Sequence, residues 1–203
     1  MKIIGIGALS LLTTFHPAVA AEQTIFTMVQ MDRLEYQARE EEWIWDMQGW
    51  VGGDQHKFWW KTEGDFDGND AEIQLLYNRA ISPFWDLQIG LKHSLESEPS
   101  ENSAVIGLQG LAPQWFEVDV AAFLTEGGDL EARLEVEYDL LLTQRLTLQP
   151  RLELDSEENG TDVGLRLRYE IKREMAPYIG LSWRNSNRQD DYVSFIAGAK
   201  FWF

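Results

Sequence analysis

Few side chains in this sequence suit a metal ion. Beyond the first residue the methionines are Met28, Met31, Met47 and Met175, and His56 begins a predicted strand beside several aromatic residues. Thioether sulfur suits Cu(I), whereas imidazole nitrogen suits Cu(II). Met28 and Met31 are three positions apart in a strand-like segment, so we expect their side chains to face opposite sides. These residue types alone do not define a site.

His93 and Ser94 form a second group whose residue types could take part in catalysis. A histidine can activate a serine hydroxyl, and acidic side chains follow at Glu96, Glu98 and Glu101. Neighbouring residues of a strand point to opposite faces, which separates the imidazole from the hydroxyl. Exposed polar residues at the start of a loop explain the pair without catalysis.

The segment from Leu130 to Leu140 indicates the kind of strand that positions these residues. Apolar residues occupy one face, and the other face carries Glu131, Arg133, Glu135, Glu137 and Asp139. A packed sandwich core would have to pair every buried charge. The pattern instead fits an outer-membrane β-barrel, with leucines facing lipid and charges facing a water-filled or salt-bridged lumen.

Alternating segments recur along the chain up to its end, where Val193, Phe195, Ala197, Ala199, Phe201 and Phe203 share one face. The segments from His56 to Phe203 give ten strands, and Thr24–Gln37 and Trp43–Gly52 add two. We therefore predict an all-β antiparallel transmembrane barrel of twelve strands. The alternative is ten strands and a periplasmic N-terminal segment. Periplasmic connections should be short and outside loops, such as residues 184–190, longer.

Aromatic residues are expected to form a girdle at the lipid headgroups. They cluster near predicted strand ends on the periplasmic side: Trp43, Trp45, Trp50, Phe58, Trp59, Trp60, Phe84, Trp85, Trp115, Phe116, Tyr178, Phe201, Trp202 and Phe203. Packing of these rings inside a soluble β-domain is the alternative.

The N-terminus predicts export. Residues 1–20 combine a basic Lys2, an apolar run and a small-residue cleavage site at Ala18–Ala20, as in a signal peptide. The barrel domain is expected to occupy residues 21–203. The apolar run is too short to span a bilayer as a helix. The chain has no cysteine, so the exported fold does not depend on disulfides.

The formal net charge of −17 argues against nucleic-acid binding and could attract cations; solubility and exposed loops are the alternative explanation of the acidity. A cation-favouring field could come from predicted lumen acids: Asp46, Asp54, Glu63, Asp119, Glu131, Glu135, Glu137, Asp139, Glu153 and Asp155. The alternative is that these acids pair with arginines and plug a narrow barrel. The candidate arginines are Arg133, Arg151, Arg166 and Arg168.

Several longer stretches resemble one family. They read MVQMDRLEY at 28–36, QGWVGGD at 48–54, KFWWKTEG at 57–64, YNRAISPFWDLQ at 77–88, GLQGLAPQWFEVD at 107–119, EVEYDLLLTQRLTLQPRLE at 135–153 and EIKREMAPY at 170–178. Their order and wording resemble the copper resistance protein B family of outer-membrane proteins. The resemblance covers almost the whole chain after residue 20.

The resemblance implies an outer-membrane barrel of copper resistance that binds copper ions or helps them cross, without covalent chemistry. Many members carry a long Met- and His-rich N-terminal extension. Here the sequence that resembles the family's barrel begins close to the predicted cleavage site, so high-capacity copper storage is not expected. A first copper site to test comprises residues of the three N-terminal strands: Met28, Met31, Asp46, His56 and Glu63. Outer-membrane lipid and a periplasmic copper-binding protein are candidate partners of a monomer.

Two alternatives stay open. A small cation-favouring porin or structural barrel would need no copper site. A rim esterase built on His93 and Ser94 would be similar to lipid A deacylases, which cleave an ester with a serine nucleophile. We expect a protein that is not an enzyme.

Overall fold

The computed structural model describes residues 24–67, 71–95, 101–157, 159–186 and 189–203. Within these ranges twelve antiparallel strands follow one another along the chain. They are β1 (Phe26–Gln37), β2 (Glu42–Gly52), β3 (His56–Asp65), β4 (Ala71–Ser82), β5 (Trp85–Ser94), β6 (Glu101–Ala112), β7 (Phe116–Thr125), β8 (Leu130–Glu137, continued by Leu140–Leu141), β9 (Leu146–Asp155), β10 (Gly160–Tyr169), β11 (Met175–Ser186) and β12 (Gln189–Trp202). A 3-10 turn, Pro113–Trp115, joins β6 to β7. No helix in these ranges is long and apolar enough to cross a membrane. The predicted signal peptide lies outside them.

Pairing of the first strand with the last closes the sheet into a barrel. The backbone N–H of Phe203 donates to the carbonyl of Val29 at 2.8 Å, and the N–H of Val29 donates back at 3.1 Å. All other neighbours in sequence also pair, so closure leaves no free sheet edge. The predicted twelve-stranded barrel is confirmed. The alternative with a separate N-terminal segment is wrong, because β1 and β2 are barrel strands.

The outer face of the barrel is apolar and the inner face is mostly polar. In β4, Ile73, Leu75 and Tyr77 are exposed, whereas Gln74 and Asn78, which have the opposite parity, are buried. This arrangement inverts that of a soluble sandwich. An apolar surface that surrounds the whole barrel is stable against lipid and not against water.

Part of the lumen is filled by an apolar cluster on the wall formed by β3 to β7. Trp59, Leu76, Val105 and Phe123 pack together, and Met28 contacts them. Charged side chains occupy much of the remaining space, so the lumen is narrower than the strand number alone suggests.

We call the end of the barrel that holds Phe26 and Phe203 the base, and the opposite end the mouth. At the base, Phe84 and Trp115 pack edge to face with ring centroids 6.4 Å apart. Phe84 and Trp115 are also exposed. This part of the predicted aromatic girdle is confirmed.

Four tryptophans depart from the predicted girdle. Trp43 and Trp45 lie near the start of β2 and therefore near the mouth, and the ring centroid of Trp43 is 5.4 Å from that of Tyr36. Trp50 and Trp59 stack at 6.1 Å inside the barrel. The Lys57 ammonium lies over both rings, 5.2 Å from the centroid of Trp50. Their placement follows strand parity, because positions that pair across β2 and β3 share a face.

The predicted long loop at residues 184–190 is wrong. Strand β11 continues to Ser186 and β12 begins at Gln189, so most of this segment is paired. Arg184 pairs with Tyr192, and the register then shifts before Ser186 pairs with Gln189. Backbone pairing in the hairpin thus overrides the polar character of these residues.

Gly198 makes room for a contact inside the barrel. It pairs with both Glu35 and Tyr178, and the Tyr178 hydroxyl donates to the Glu35 carboxylate at 3.0 Å. A Cβ at Gly198 would lie 2.7 Å from that hydroxyl oxygen and 2.5 Å from the carbonyl oxygen of Leu34.

We expect Gly198→Ala to displace the Tyr178 ring and lower the free energy of unfolding by about 1–3 kcal/mol. Urea titration of the barrel in detergent, followed by tryptophan fluorescence, measures this change. Gly127→Ala is the control, since its nearest contact would be an ordinary 3.5 Å. Equal unfolding midpoints for the two variants would contradict the expectation.

Candidate ion-handling lumen

Arginines and carboxylates form a layer across the middle of the lumen. Arg33, Arg133 and Arg151 project from β1, β8 and β9. Seven carboxylates surround them: Asp46, Glu63, Glu72, Glu135, Glu137, Glu153 and Asp155. We call these residues the arginine network.

Two shared carboxylates make this network continuous. Glu63 lies 3.4 Å from Nη2 of Arg33 and also binds Nη1 of Arg133. Glu153 lies 3.9 Å from Nε of Arg133 and 2.7 Å from Nη2 of Arg151. Moving one arginine therefore changes the surroundings of the others.

Arg133 crosses the lumen. Its Nε donates to Asp155 on the adjacent β9 at 2.8 Å. Its two terminal nitrogens donate to Glu72 on β4 at 3.1 and 3.3 Å, and one of them also binds Glu63 on β3. The planar guanidinium suits such a forked contact with a carboxylate. Arg133 thereby joins two walls that are not adjacent in the sheet.

One cavity toward each end of the barrel reaches the arginine network. The base vestibule has a volume of about 300 Å³ and the mouth vestibule about 260 Å³. Arg33, Glu63, Glu72 and Arg133 line both cavities. These four side chains therefore form the partition between the vestibules.

Acidic residues outnumber basic ones on the walls of both vestibules. The acids of the mouth vestibule are Glu42, Glu63, Asp65, Glu72, Glu153, Asp155 and Asp162, beside the bases Arg33, Arg133 and Arg184. The acids of the base vestibule are Asp32, Asp46, Glu63, Glu72, Glu117, Asp119, Glu135 and Glu137, beside the bases Arg33, Lys61, Arg133, Arg166 and Lys200. Both arrangements that the sequence left open coexist: arginines pair with lumen acids, and an acidic excess remains.

Further ion pairs tie the strands together around this layer. Arg166 donates from Nε to Glu35 at 2.9 Å, and both side chains are buried. Nearer the base, Arg168 donates to Asp139 at 2.5 Å. The predicted pairing of Arg166 and Arg168 with acids is thus confirmed.

A β-bulge in β1 places two adjacent charged residues in the lumen. The pairing of β1 with β2 shifts register between Met31 and Arg33. As a result Asp32 contacts Lys200 at 2.6 Å while Arg33 contacts Asp46 at 3.1 Å. Regular alternation would separate Asp32 from Arg33, and a bulge removes that restriction.

Arg33 and Glu72 were missed by the sequence analysis although local signals for them exist. Arg33, Glu35 and Gln37 alternate at the end of β1, and the latter two are buried. Glu72 precedes the exposed Ile73 and is 11% exposed in its side chain. The alternation of inward and outward residues in these two segments predicts that Arg33 and Glu72 both face the lumen.

Three residues of the predicted copper set face the lumen. Asp46 and Glu63 are cross-strand neighbours on β2 and β3, and Arg33 contacts both. Met28 lies nearer the base and packs against Trp59 and its neighbours in the apolar cluster.

The other two residues lie on the outer face. Met31 pairs with Met47, which alternates with lumen-facing residues of β2. His56 is exposed at the base, and its Nδ1 lies 2.6 Å from the Tyr77 hydroxyl. The structure therefore does not bring the five residues together. Across the described ranges, no group of three or more His, Cys, Asp or Glu side chains is arranged to hold a metal ion.

His93 and Ser94 lie on opposite faces of β5. Ser94 is buried and lines the mouth vestibule. The Nδ1 of His93 instead lies 2.8 Å from the amide oxygen of Asn102. This separation removes the histidine–serine contact that a rim esterase requires.

At the mouth, Glu40 in the β1–β2 turn links two other strands. Its carboxylate lies 3.1 Å from Nη1 of Arg184 and accepts a hydrogen bond from Tyr192. Partial burial raises the pKa of the Glu40 carboxyl, although the adjacent Arg184 opposes the change. Arg184 also contacts Asp162 at 3.2 Å, which fixes the turn over the mouth vestibule.

Solved structures with this fold include porins. The NanC porin shares 14% sequence identity at a TM-score of 0.55, with 87% of this chain and 99% of that chain covered. The KdgM porin shares 11% identity at a TM-score of 0.53, with 86% and 98% covered. Identities this low show the fold alone, which is a porin-like barrel.

Sequence relatives connect this barrel to copper resistance. Copper resistance protein B of Escherichia coli is 38% identical over 210 aligned positions, which cover 90% of this chain and 71% of that protein. A copper resistance protein B homolog of Pseudomonas syringae pv. tomato is 35% identical over 200 positions, covering 85% and 68%. The family described as copper resistance protein B precursor matches residues 25–203. With the porin-like fold, these matches support an outer-membrane location. The chain belongs to the copper resistance protein B family.

Proposed function

We propose that this protein serves copper resistance by binding copper ions in its acidic lumen or helping them cross the outer membrane. The observation that carries the proposal is the excess of carboxylates on both sides of the arginine network. Acidic walls around a narrow space concentrate cations and repel anions. Family membership makes copper the relevant cation.

Several carboxylates of the lumen are already paired with arginines, and this pairing favours transit or weak binding of an ion over its storage. Asp46 and Glu63 are already held by arginines, so an incoming ion has to displace a guanidinium to reach them. Part of the binding free energy is then spent on breaking existing ion pairs. An ion bound in this way also leaves readily.

A general cation-favouring pore is the second candidate, supported by the porin-like fold. The partition formed by Arg33, Glu63, Glu72 and Arg133 argues for a more selective path, because it interrupts the lumen between the vestibules. The two candidates differ in whether ions of equal charge are treated alike.

We expect vesicles containing the barrel to take up Cu²⁺ faster than Mg²⁺, because a copper-handling lumen should distinguish ions of the same charge. Metal analysis of washed vesicles with an entrapped chelator measures both rates, and Ag⁺ serves as a redox-inert substitute for Cu⁺. Vesicles without protein are the control. Equal rates for Cu²⁺ and Mg²⁺ would instead identify a general cation pore.

For copper binding itself, we propose the lumen-facing part of the predicted set as the contact region. Single replacements Asp46→Asn and Glu63→Gln should each weaken Cu²⁺ binding by about tenfold, which corresponds to about 1.4 kcal/mol. Calorimetric titration of the refolded barrel in detergent measures this. Asp54→Asn, in the exposed β2–β3 turn, removes the same charge outside the lumen and is the matched control.

The remaining members of the set are tested in the same titration. Met28→Leu should weaken Ag⁺ binding, because it removes the thioether that faces the lumen. Loss of binding in His56→Ala or Met31→Leu, with Asp46→Asn and Glu63→Gln unchanged, would move the site to the outer face.

We further propose that residues 1–20 are cleaved on export and that the mature chain is a monomeric barrel. The apolar outer face supports direct contact with outer-membrane lipid. A periplasmic copper-binding protein is the proposed partner at the base. N-terminal sequencing of the protein from outer-membrane preparations should begin at Ala21; retention of residue 1 would contradict cleavage.

A further inference from the structure

The three arginines of the network hold different positions relative to the ion path. Arg151 contacts Glu135 and Glu137 on the neighbouring β8 and lines neither vestibule. Within the described part of the chain, Arg33 forms ion pairs with Asp46 of β2 and Glu63 of β3, the next two strands along the wall. Arg133 alone among the three reaches from one wall to another, non-adjacent wall.

The position of Arg133 is fixed by several contacts in addition to its ion pair with Glu63. The Asp155 carboxylate holds its Nε at 2.8 Å, and Glu72 holds its two terminal nitrogens at 3.1 and 3.3 Å. The Phe123 ring lies 5.7 Å from the guanidinium carbon on the apolar wall. Arg133 lines both vestibules, so an ion that passes from one to the other meets its guanidinium.

We propose that Arg133 is the barrier residue of the lumen and that it sets the preference between cations by their charge. The proposal rests on the proposed function, since it specifies how the same lumen selects its ions. It assigns to Arg133 the role of a resident counter-ion. A passing cation exchanges with it at Glu63 and Glu72.

The direction of the preference follows from the exchange. A monovalent ion offers these carboxylates the same charge as the guanidinium without its forked hydrogen bonds, so exchange is unfavourable. A divalent ion doubles the attraction to each carboxylate at equal distance. During this exchange Arg133 retains its ion pair with Asp155 and can move closer to Glu153, which lies 3.9 Å from its Nε. Cu(II) is therefore favoured over Cu(I), and divalent ions over K⁺.

The absence of cysteine from the sequence permits a direct test at this position. In Arg133→Cys the thiol is the single reactive sulfhydryl, and a methanethiosulfonate reagent bearing trimethylammonium restores a positive charge there. Methyl methanethiosulfonate adds a small neutral group instead. Two quantities are measured before and after each reagent. They are the conductance of planar lipid bilayers bathed in KCl and the flux of K⁺ and Mg²⁺ into vesicles.

We expect Arg133→Cys to raise K⁺ conductance by about threefold or more, because the guanidinium that spans the lumen between Asp155 and Glu72 is then absent. The ratio of Mg²⁺ to K⁺ flux should fall. The cationic reagent should reverse both changes, and the neutral reagent should not. Arg79→Gln removes the same charge from the exposed outer face of β4, outside the network, and should conduct like the wild type.

A folded Arg133→Cys barrel with wild-type conductance overturns the proposal, as does an equal increase in Arg79→Gln. Heat-modifiable migration in detergent gels confirms folding, and Arg133→Gln, which keeps a hydrogen-bonding side chain, replaces a variant that fails this test. If the wild type takes up copper but Arg133 variants leave conductance and ion flux unchanged, only the barrier role of Arg133 is refuted. An effect of Arg133 variants without copper preference in the wild type refutes the proposed function alone.

Discussion

Strands from two sides of the barrel bring carboxylates into one layer of a narrow lumen, where like charges repel strongly because little water separates them. Arg33, Arg133 and Arg151 offset this repulsion by sharing Glu63 and Glu153. Removing one partner of such a buried pair leaves an uncompensated charge, which destabilises more than the intact pair stabilises. The positions of Arg33 and Arg133, which line both vestibules, therefore determine where the two vestibules meet.

The barrel could be predicted because the inner or outer orientation of a strand residue is a local property. In Leu130–Leu140 the alternation of leucines with acids identified both faces, and the structure confirms them. Prediction failed where pairing departs from regular alternation. The β1 bulge places Asp32 and Arg33 in the lumen together, and the β11–β12 hairpin continues through residues expected to form a loop. Both features depend on a partner strand that the local sequence does not show.

The candidate site was less predictable than the fold, because contacts across the lumen depend on strand tilt and stagger. Parity showed that Arg133 and Glu63 face inward, but not that they lie at the same level on walls far apart in sequence. The copper set illustrates the same limit. Asp46 and Glu63 meet because they are cross-strand neighbours, whereas His56 has the parity of the outer face and so lies apart from them.

Attraction and obstruction arise from the same carboxylates in this lumen. Glu63 and Glu72 draw cations toward the partition and also hold Arg133 in place, so a change in their charge alters both effects together. A cation of higher charge is attracted more strongly to these carboxylates, whereas their interaction with Arg133 stays the same. Its exchange with Arg133 is therefore more favourable. Such a lumen selects by charge before it selects by ligand type. Selection by ligand type needs a soft donor, and Met28 is the member of the predicted set that offers the lumen a thioether, which suits Cu(I).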